Sequence, residues 1–584
     1  MKSLSYLNKY LFKYKWRLIL GLLFTVFSNY FAVKMPLYVK DVLDEFINDT
    51  SSYQVENALL LALKIGLIYI SFSLGKGFFL FLVRQTIIVA SRFIEYDLKN
   101  EIYSHYQKLN VSFYKKNTTG DLMNRISEDV SKVRMYLGPG IMYSINLVVL
   151  SIMVIIQMIQ INMELTLYVL IPLPIMSYLI YKVSATMNQL STSVQKEQSM
   201  LSTIAQESFS GIRVLKSYNR EKEINNKFDK STYAYKDKSM KLVVVNALFM
   251  PTILFLIGLS TLISIYVGAN MNFNNQISLG GIIAFIFYVN NLTWPFASIG
   301  WVTSIVQRAA ASQERINEFL NKKDLSNKGN LDPFIFNGKI EFNNLSYTYK
   351  ETEINALKNI SFSVEKGETL GIIGKTGSGK STILNLLLNL FKADSGEIKI
   401  DEKDLIKVNI TEYYNICGVV PQDVFLFSDT IKNNVLFGST KHEENESIIN
   451  SCKDACIHKN IVAFPDAYDT ILGERGVNLS GGQKQRLSIA RALIRKPKLL
   501  LLDDCLSSVD TETEDKILHN LNRDAKNRTT IIVSHRISTI RHATKIIVLD
   551  KGEIIEKGTH QDLLTSNGFY KKLYEQQLSE DKQV

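Results

Sequence analysis

Six stretches in the first 305 residues are each long and apolar enough to cross a lipid bilayer, and this constrains the fold more than any other feature. The hydrocarbon core of a bilayer requires about 20 consecutive apolar residues per helix. The stretches lie near residues 18–39, 57–83, 138–160, 165–187, 244–268 and 279–305. The rest of the chain has the mixed composition of an α/β domain. We therefore expect an all-α six-helix transmembrane domain over residues 17–320, a polar linker over 321–337 and an α/β domain over 338–584.

Lysine and arginine residues are concentrated in two of the segments that connect these stretches. Segments 84–137 and 188–243 are long and basic, whereas the connection 40–56 is acidic and the connection 269–278 carries no charge. Basic connections stay on the cytosolic side of a membrane. The chain is thus expected to span the cell membrane several times, with both termini and the α/β domain in the cytosol. The same distribution accounts for the net charge of +11 without a nucleic-acid partner.

The first 16 residues are expected to form a separate elbow helix. Leu4, Leu7, Leu11 and Tyr14 recur at helical spacing, with lysines between them. An amphipathic helix of this kind lies along the inner membrane surface and contacts lipid. Because no small-residue cleavage site follows, the first apolar stretch is interpreted as an uncleaved span rather than a signal peptide.

The two basic segments keep helical periodicity, so the membrane helices are expected to continue beyond the bilayer. Each segment has a turn at its far end, near residues 113–121 and 210–220. A short helix at such a tip would suit attachment to another domain, although an ordinary helical hairpin has the same pattern. Bends are expected at prolines within the spans, which are Pro172, Pro174, Pro251 and Pro295.

A glycine-rich loop follows a predicted strand, Thr369–Ile373, and precedes a predicted apolar helix, Ser381–Leu390. The loop and the start of the helix comprise Gly374, Lys375, Thr376, Gly377, Ser378, Gly379, Lys380, Ser381 and Thr382. In this strand–loop–helix setting, backbone N–H groups and the helix N-terminus cradle phosphate groups. Lys380 is expected to reach the β- and γ-phosphates of ATP, and Ser381 to hold Mg²⁺. The α/β domain is therefore predicted to be a P-loop NTPase.

Two further predicted strands end in polar residues. Lys498–Asp503 ends in a carboxylate that would act on Mg²⁺ through water, and Thr529–His535 ends in an imidazole. The carboxyl ends of parallel strands meet at one edge of a sheet, where ligands bind. This placement favours a functional role for His535 over that of a core histidine.

Two of the four cysteines invite a metal-site interpretation. Cys452 and Cys456 fall on one helix face near His458. The set lacks a fourth ligand, so packing is preferred to metal binding.

The segment Leu479-Ser480-Gly481-Gly482-Gln483, just before the strand that ends at Asp503, resembles the signature of ATP-binding cassette (ABC) proteins. Six spans followed by one such cassette resemble a half-transporter of the ABC exporter type. Residues 117–125, 473–476 and 558–560 also match motifs of that family. The resemblance implies an ATPase that exports a hydrophobic or amphipathic drug, lipid or peptide by alternating access. A non-transporting membrane sensor or channel regulator on the same fold is the alternative.

The resemblance also implies roles for single residues. The catalytic residues would be Asp504, His535 and Gln422, and the Mg²⁺ ligands Ser381, Gln422 and Asp503. The nucleotide contacts would be Tyr349 on adenine, the loop residues 374–382, and Ser480, Gly481, Gly482 and Gln483 on the ATP of the opposite cassette. Asp510 would face that opposite site, and the tips near 113–121 and 210–220 would be coupling helices. Because one cassette carries only half of each site, the working unit would be a dimer of half-transporter chains.

Asp504 stands where the family normally has glutamate. Its side chain is one methylene shorter, so the carboxylate would fall about 1.5 Å short of the attacking water. The chain's own ATP site is therefore expected to be slow. The intact signature would complete an active site on a different partner that carries glutamate, which favours a heterodimer. A homodimer with two slow sites is the alternative.

Overall fold

The computed structural model describes residues 2–48, 55–322, 334–350, 352–441, 443–523 and 525–581. The chain divides into two compact units, one of Met1–Lys108 and Asn117–Lys323 and the other of Leu109–Lys116 and Asp324–Val584. Most of the predicted linker, residues 323–333, and part of the acidic connection, residues 49–54, lie outside the described residues.

The described part of the first unit is helical. Lys2–Leu7 is a 3-10 helix, and π-helical turns occupy Arg84–Ile88, Arg125–Asp129 and Tyr136–Gly140. The α-helices up to residue 320 are α1 (Asn8–Lys13), α2 (Lys15–Asn48), α3 (Val55–Val83), α4 (Val89–Gln107), α5 (Val111–Lys116), α6 (Thr119–Asn124), α7 (Val130–Met135), α8 (Ile141–Ile161), α9 (Met163–Leu170), α10 (Pro172–Ser210), α11 (Ile212–Ser217), α12 (Glu221–Phe273) and α13 (Leu279–Leu320). Of these helices, α5 belongs to the second unit.

Within the described residues, six helical stretches are long and apolar enough to cross a membrane, which confirms the six predicted spans. They are Lys15–Ile47, Ala62–Lys108, Thr119–Ile161, Met163–Ser210, Glu221–Phe273 and Leu279–Leu320.

The helices continue beyond the apolar stretches, as predicted. The 53 residues of α12 correspond to about 80 Å of helix, against about 30 Å for the bilayer core. Short helices are found near both predicted tips: α5 and α6 near the first, and α11 directly after Gly211 at the second. Thr118 begins α6 by accepting a hydrogen bond from the Asp121 N–H group.

The four prolines at which bends are predicted lie at different places in the helices, and bending of the helices that continue through a proline stays a prediction. Pro172 is the first residue of α10, and Ile171 separates α10 from α9. Pro174 lies inside α10, and α12 and α13 continue without interruption through Pro251 and Pro295. The helix break therefore falls at the first of the four prolines, where a missing N–H group is tolerated at a helix start.

The N-terminal segment is held against α4 by hydrogen bonds. The Glu101 carboxylate accepts hydrogen bonds from Tyr6 (2.6 Å), from Lys9 (2.7 Å) and from the Tyr10 hydroxyl. Asp97 accepts from Lys13 at 2.6 Å. Leu7 and Tyr10 are buried, so part of the predicted apolar stripe faces protein instead of lipid. Contact of this segment with the membrane surface stays a prediction.

Two carboxylates, one partly buried and one fully buried, join distant parts of the first unit. Asp44 of α2 accepts hydrogen bonds from the Ser278 hydroxyl (2.6 Å) and the Gly280 N–H group (3.0 Å), and so stabilises the start of α13. Asp129 is 4% exposed and accepts hydrogen bonds from Ser312 and from the Arg315 Nε atom of α13, both at 2.9 Å.

The described part of the second unit contains two sheets, and its remaining elements follow the linker. The strands are β1 (Ile340–Tyr349), β2 (Ile354–Val364), β3 (Thr369–Gly374), β4 (Ser395–Ile400), β5 (Lys403–Asp404), β6 (Cys417–Val420), β7 (Leu499–Asp503), β8 (Thr529–Ser534), β9 (Lys545–Asp550) and β10 (Glu553–Gly558). The helices are α14 (Lys380–Leu387), α15 (Ile410–Ile416), α16 (Ile431–Leu436), α17 (Asn445–Asp454), α18 (His458–Val462), α19 (Gly481–Leu493), α20 (Thr511–Asn522), α21 (Ile537–Ile540), α22 (His560–Thr565) and α23 (Phe569–Asp581).

The larger sheet has the order β10-β9-β3-β8-β7-β6, and the smaller has the order β2-β1-β4-β5. Strands β9, β3, β8, β7 and β6 are parallel to one another. Along β7, Leu500 and Leu502 belong to one buried core, and Leu499 and Leu501 to another. Both faces of the sheet are therefore covered, which explains why the strands are continuous apolar runs.

We expect Asp129→Asn to destabilise the first unit. The variant removes the negative charge that Arg315 and Ser312 contact, and the loss should amount to about 1–2 kcal/mol because Arg315 is itself partly exposed. The melting temperature of the purified chain measures this loss. Glu128→Gln is the control, since Glu128 is largely exposed and pairs only with Lys132 among the ion pairs of the described residues. Equal melting temperatures for the two variants would contradict the prediction.

Candidate nucleotide site

Four predicted functional segments follow four adjacent parallel strands. The glycine-rich loop follows β3, His535 follows β8, Asp503 ends β7, and Gln422 lies two residues after β6. Their registers align the strand ends: Ile373 lies opposite Ser534 and Asp503 opposite Val533. The prediction that the strands ending at the glycine-rich loop, Asp503 and His535 share one edge of the sheet is confirmed, and β6 brings Gln422 to the same edge.

The loop after β3 has a backbone conformation that requires glycine. Gly377 has a φ angle of 80° and Gly379 one of 102°, values that side chains with a Cβ atom rarely adopt. At Gly374, a Cβ atom would lie 2.1 Å from the Leu549 carbonyl oxygen. Gly379 is also the N-cap of α14, so the loop leads directly into a helix N-terminus, where phosphate binds.

The side chain of Lys380 is 6% exposed. Its Nζ atom donates hydrogen bonds to the carbonyl oxygens of Gly374 (2.8 Å) and Lys375 (2.9 Å), and it lies 3.5 Å from His535 Nδ1. Burial lowers the pKa of Lys380 to about 8, although Asp504 and Asp503 act in the opposite direction. The cation therefore lies at the centre of the strand ends and is poorly solvated, so phosphate oxygens would bind it strongly.

Ser381 and Asp503 form the part of the site that suits a divalent cation. The Ser381 hydroxyl donates a 2.9 Å hydrogen bond to Asp503 Oδ1. Burial raises the pKa of Asp503, and Asp504 raises it further, while Ser381, Lys380 and His535 lower it. A hydroxyl beside a poorly solvated carboxylate is an oxygen set that fits Mg²⁺. Gln422 is exposed, and its place among the Mg²⁺ ligands stays a prediction.

Asp504 adopts a left-handed backbone conformation, with a φ angle of 45°. Its N–H group donates to the Val533 carbonyl oxygen at 2.9 Å. Its carboxylate accepts a long hydrogen bond, 3.4 Å, from the backbone N–H group of His535, and its carbonyl oxygen accepts one from Ser507 at 3.0 Å. The short acid is thus held beside the His535 backbone.

The signature residues lie at the start of α19. Ser480 and Gln483 form a reciprocal capping box, and Gly481 and Gly482 are the first two residues of the helix. A Cβ atom on Gly482 would lie 2.7 Å from the Ser508 carbonyl oxygen. One turn later, Gln485 bonds to the Ser507 hydroxyl (3.2 Å) and to the Ser508 N–H group (3.0 Å). The signature turn is therefore attached to the segment that leads to Asp510, the N-cap of α20.

Tyr349 lies beside the helix that the glycine-rich loop begins. Its hydroxyl is 3.2 Å from Thr382 Oγ1, and its ring contacts Tyr347 and Phe391 edge-on, with centroids 5.0 and 5.8 Å away. Stacking of this ring on adenine stays a prediction. Lys375 and Thr376 are exposed, and Ser378 is buried.

Two residues near His535 were missed by the sequence analysis. Gln577 of α23 accepts a hydrogen bond from the Ile537 N–H group (2.9 Å) and donates one to the His535 carbonyl oxygen (2.7 Å). Glu514 of α20 is 1% exposed and accepts a hydrogen bond from Thr539, which is itself 3.2 Å from the Ser534 hydroxyl. Neither belongs to a local motif, and both lie far in the chain from the strand that they support.

The cysteine pair near His458 fits the packing interpretation. Cys452 is fully buried in the core, and burial raises the pKa of its thiol to about 12. His458 Nδ1 lies 2.9 Å from the Tyr468 hydroxyl.

The affinity for ATP is expected to fall as the pH rises above about 8. Lys380 has a pKa of about 8 before nucleotide binds, and bound phosphates would raise it, so binding takes up a proton at higher pH. Linkage then weakens binding by up to about tenfold per pH unit. Titration with a fluorescent ATP analogue between pH 7.5 and 9.5 measures this slope. In Lys380→Ala, which should stay folded but nearly lose hydrolysis, the slope should vanish; the same slope in both proteins would contradict the assignment.

Comparison with known proteins assigns both units to one family. Residues 18–296 match the family model described as ABC transporter transmembrane region. Residues 357–507 match the family model described as ABC transporter.

Several relatives share most of their length with this chain. The multidrug resistance-like ATP-binding protein MdlA of Buchnera aphidicola subsp. Schizaphis graminum is 38% identical over 85% of this chain and 86% of the relative. The probable multidrug resistance ABC transporter ATP-binding/permease protein YheI of Bacillus subtilis is 37% identical over 82% of each chain. The ATP-dependent lipid A-core flippase of Syntrophus aciditrophicus is 32% identical over 94% of this chain and 90% of the relative.

A solved structure has the same fold. It is that of a bacterial Atm1-family ABC exporter with ATP bound, with a TM-score of 0.79, 24% identity, and coverage of 96% of this chain and 98% of that one. The chain therefore belongs to the ABC transporter family, as a multi-pass membrane half-transporter whose ATPase domain drives transport.

Proposed function

We propose that this chain exports hydrophobic or amphipathic molecules from the cytosol or the inner leaflet, and that hydrolysis of Mg²⁺-bound ATP drives this export. One observation carries the proposal: the same chain contains six apolar membrane helices and a nucleotide site at the edge of a parallel sheet. At this edge the Ser381 hydroxyl donates a 2.9 Å hydrogen bond to Asp503, beside the buried Lys380. The names of two relatives refer to multidrug resistance and to a lipid A-core flippase, which supports a drug or lipid as the transported molecule.

The residues at the strand edge would divide the work of hydrolysis. Lys380 would leave the loop carbonyl groups and bind the β- and γ-phosphates of ATP. Ser381, Asp503 and Gln422 would hold Mg²⁺, whose charge offsets that of the phosphate oxygens. Asp504 would orient the attacking water as a general base.

His535 and Tyr349 would contact opposite ends of the nucleotide. The Nδ1 atom of His535 lies 3.5 Å from Lys380 Nζ, which would place the imidazole beside the γ-phosphate. Tyr349 lies beside Thr382 on α14, which suits a contact with the adenine ring. Stimulation of ATP hydrolysis by candidate drugs or lipids, together with their ATP-dependent movement into vesicles, tests the transport function. If no such compound stimulates ATP hydrolysis and none moves into the vesicles, the result would favour a sensor or channel regulator.

The working unit is a dimer, and we propose that the partner is a different half-transporter. Ser480 and Gly482 would contact the γ-phosphate of ATP on the partner, and Asp510 would face the same site. The signature turn is attached to Ser507 and Ser508, so movement of the signature turn would displace the segment that leads to Asp510. This coupling supports the proposal that Ser480, Gly482 and Asp510 act together at the partner's ATP site. A partner with glutamate at the position of Asp504 would then have a complete, fast site.

Asp504→Glu is expected to raise the ATP turnover of the purified chain. The added methylene extends the carboxylate by about 1.5 Å toward the attacking water, and an error of about 1 Å in such a position can change a rate by roughly 100-fold. Steady-state hydrolysis with and without substrate measures the effect. Asp515→Glu, the same change at an exposed position of α20 that contacts Arg541, controls for the mere addition of a methylene. A stable homodimer with brisk hydrolysis that Asp504→Glu leaves unchanged would refute the slow site.

The termini and the two basic segments are expected to be cytosolic. A cysteine at the exposed position of Asn274, between α12 and α13, should react with a membrane-impermeant thiol reagent in intact cells, and one at Lys222 should not. The wild-type chain is the control, since its four cysteines all lie in the ATPase domain. The reverse labelling pattern would overturn the topology.

A further inference from the structure

The loop that carries His535 is held by the C-terminal helix. The amide of Gln577 forms two hydrogen bonds with this loop: its oxygen accepts from the Ile537 N–H group at 2.9 Å, and its nitrogen donates to the His535 carbonyl oxygen at 2.7 Å. A primary amide has one donor and one acceptor side, as a peptide edge does. Gln577 therefore binds the loop as a neighbouring strand would, on both sides of Arg536.

Helix α23 is itself firmly attached at its start. The Glu556 carboxylate of β10 accepts hydrogen bonds from the backbone N–H groups of Phe569 and Tyr570, the latter at 3.0 Å. The Tyr570 side chain is fully buried, and its hydroxyl lies 2.7 Å from His560 Nδ1. The start of α23 is therefore held in place, and Gln577 lies two turns later on the same helix. The position of the Gln577 amide thus follows from the packing of α23.

The polar side chain of the loop itself makes weaker contacts: the Arg536 guanidinium lies 3.4 Å from the Val509 carbonyl oxygen and 3.8 Å from the Glu514 carboxylate. The Ile537 side chain is buried in the core. His535 is only partly buried and Arg536 is exposed, and the hydrogen bond from the His535 N–H group to Asp504 is long, at 3.4 Å. From beneath, the loop is supported by the Ser534 hydroxyl, which accepts from the Arg536 N–H group at 2.9 Å. The carbonyl group of His535 and the N–H group of Ile537 are thus positioned by Gln577.

We propose that Gln577 is a positioning residue for His535 and, through it, for the γ-phosphate of ATP. The inference rests on the function proposed for His535 above. If the imidazole contacts the γ-phosphate, the rate of hydrolysis depends on where the backbone of residues 535–537 lies. Loss of the Gln577 amide frees that backbone, and a displacement of about 1 Å at a reacting centre is enough to slow a reaction by roughly one to two orders of magnitude.

Five variants of this chain in lipid nanodiscs test the proposal, three of them with single changes in α23. Gln577→Met keeps the length of the side chain and removes both hydrogen bonds, and Gln577→Asn keeps the amide but shortens its reach by about 1.5 Å. Glu575→Met, at an exposed position on the same helix, is the matched control. Turnover is measured with radiolabelled ATP, and the dissociation constant of ATP is measured separately, so that slow hydrolysis and weak binding are distinguished.

We expect Gln577→Met to lower kcat by about tenfold while the dissociation constant of ATP changes by less than about twofold. Gln577→Asn should show a smaller loss, and Glu575→Met none. In a His535→Ala background, Gln577→Met should cause no further loss, because the two residues act as one unit. This double-mutant cycle separates positioning from a merely structural role, which would lower turnover equally in both backgrounds.

The outcomes separate this proposal from the function on which it rests. If His535→Ala slows hydrolysis but Gln577→Met behaves as Glu575→Met does, the positioning role of Gln577 is wrong and that of His535 stands. Equal losses from Gln577→Met in the presence and absence of His535 would also overturn it. If His535→Ala leaves kcat unchanged, the role proposed for His535 fails, and the role of Gln577 fails with it.

Discussion

The parallel register of four strands is the constraint on which the nucleotide site depends. Side chains alternate between the two faces of a sheet, so a shift of one residue would move every side chain of a strand to the opposite face. Along β7, Leu500 and Leu499 belong to different buried cores, and both cores therefore oppose such a shift. The same register holds Asp503 opposite Val533 of β8, at the strand edge where Ser381 donates to its carboxylate. Apolar packing on two faces thus determines where the polar chemistry occurs.

Much of the fold and of the site was predictable because the signals are local. A span requires about 20 apolar residues in a row, and six such runs correspond to the six long helices. The glycine-rich loop, the carboxylate that ends β7 and the imidazole that follows β8 each stand directly after a buried apolar run. Their convergence follows from the geometry of parallel strands alone. Functional residues that directly follow a strand in the sequence can therefore be placed in the fold without knowledge of the tertiary structure.

The features that were missed depend on contacts between residues far apart in the chain. Gln577 lies 42 residues after His535 on a surface helix, and its amide is indistinguishable in sequence from that of any exposed glutamine. The N-terminal segment shows the same limit: its apolar spacing gives no sign of the hydrogen bonds that Glu101 and Asp97 of α4 accept from its tyrosines and lysines, while its contact with the membrane surface stays a prediction. Periodicity identifies the face of a helix that is apolar, whereas only tertiary structure shows what covers that face.

In the proposed slow site, Asp504 links the conformation of the backbone to the rate of ATP hydrolysis. Its φ angle of 45° lies in the left-handed region, which aspartate adopts more readily than glutamate because its short side chain can bond to nearby backbone. The short acid therefore suits the turn after β7, while a longer acid would suit the attacking water. The length of the side chain affects the transition state and therefore the rate of ATP hydrolysis. Backbone strain affects the stability of the folded state and therefore the melting temperature. The proposed partner with glutamate at this position would need other contacts to hold the turn, and the segment around Ser507, which donates to the Asp504 carbonyl oxygen, is where such contacts would differ.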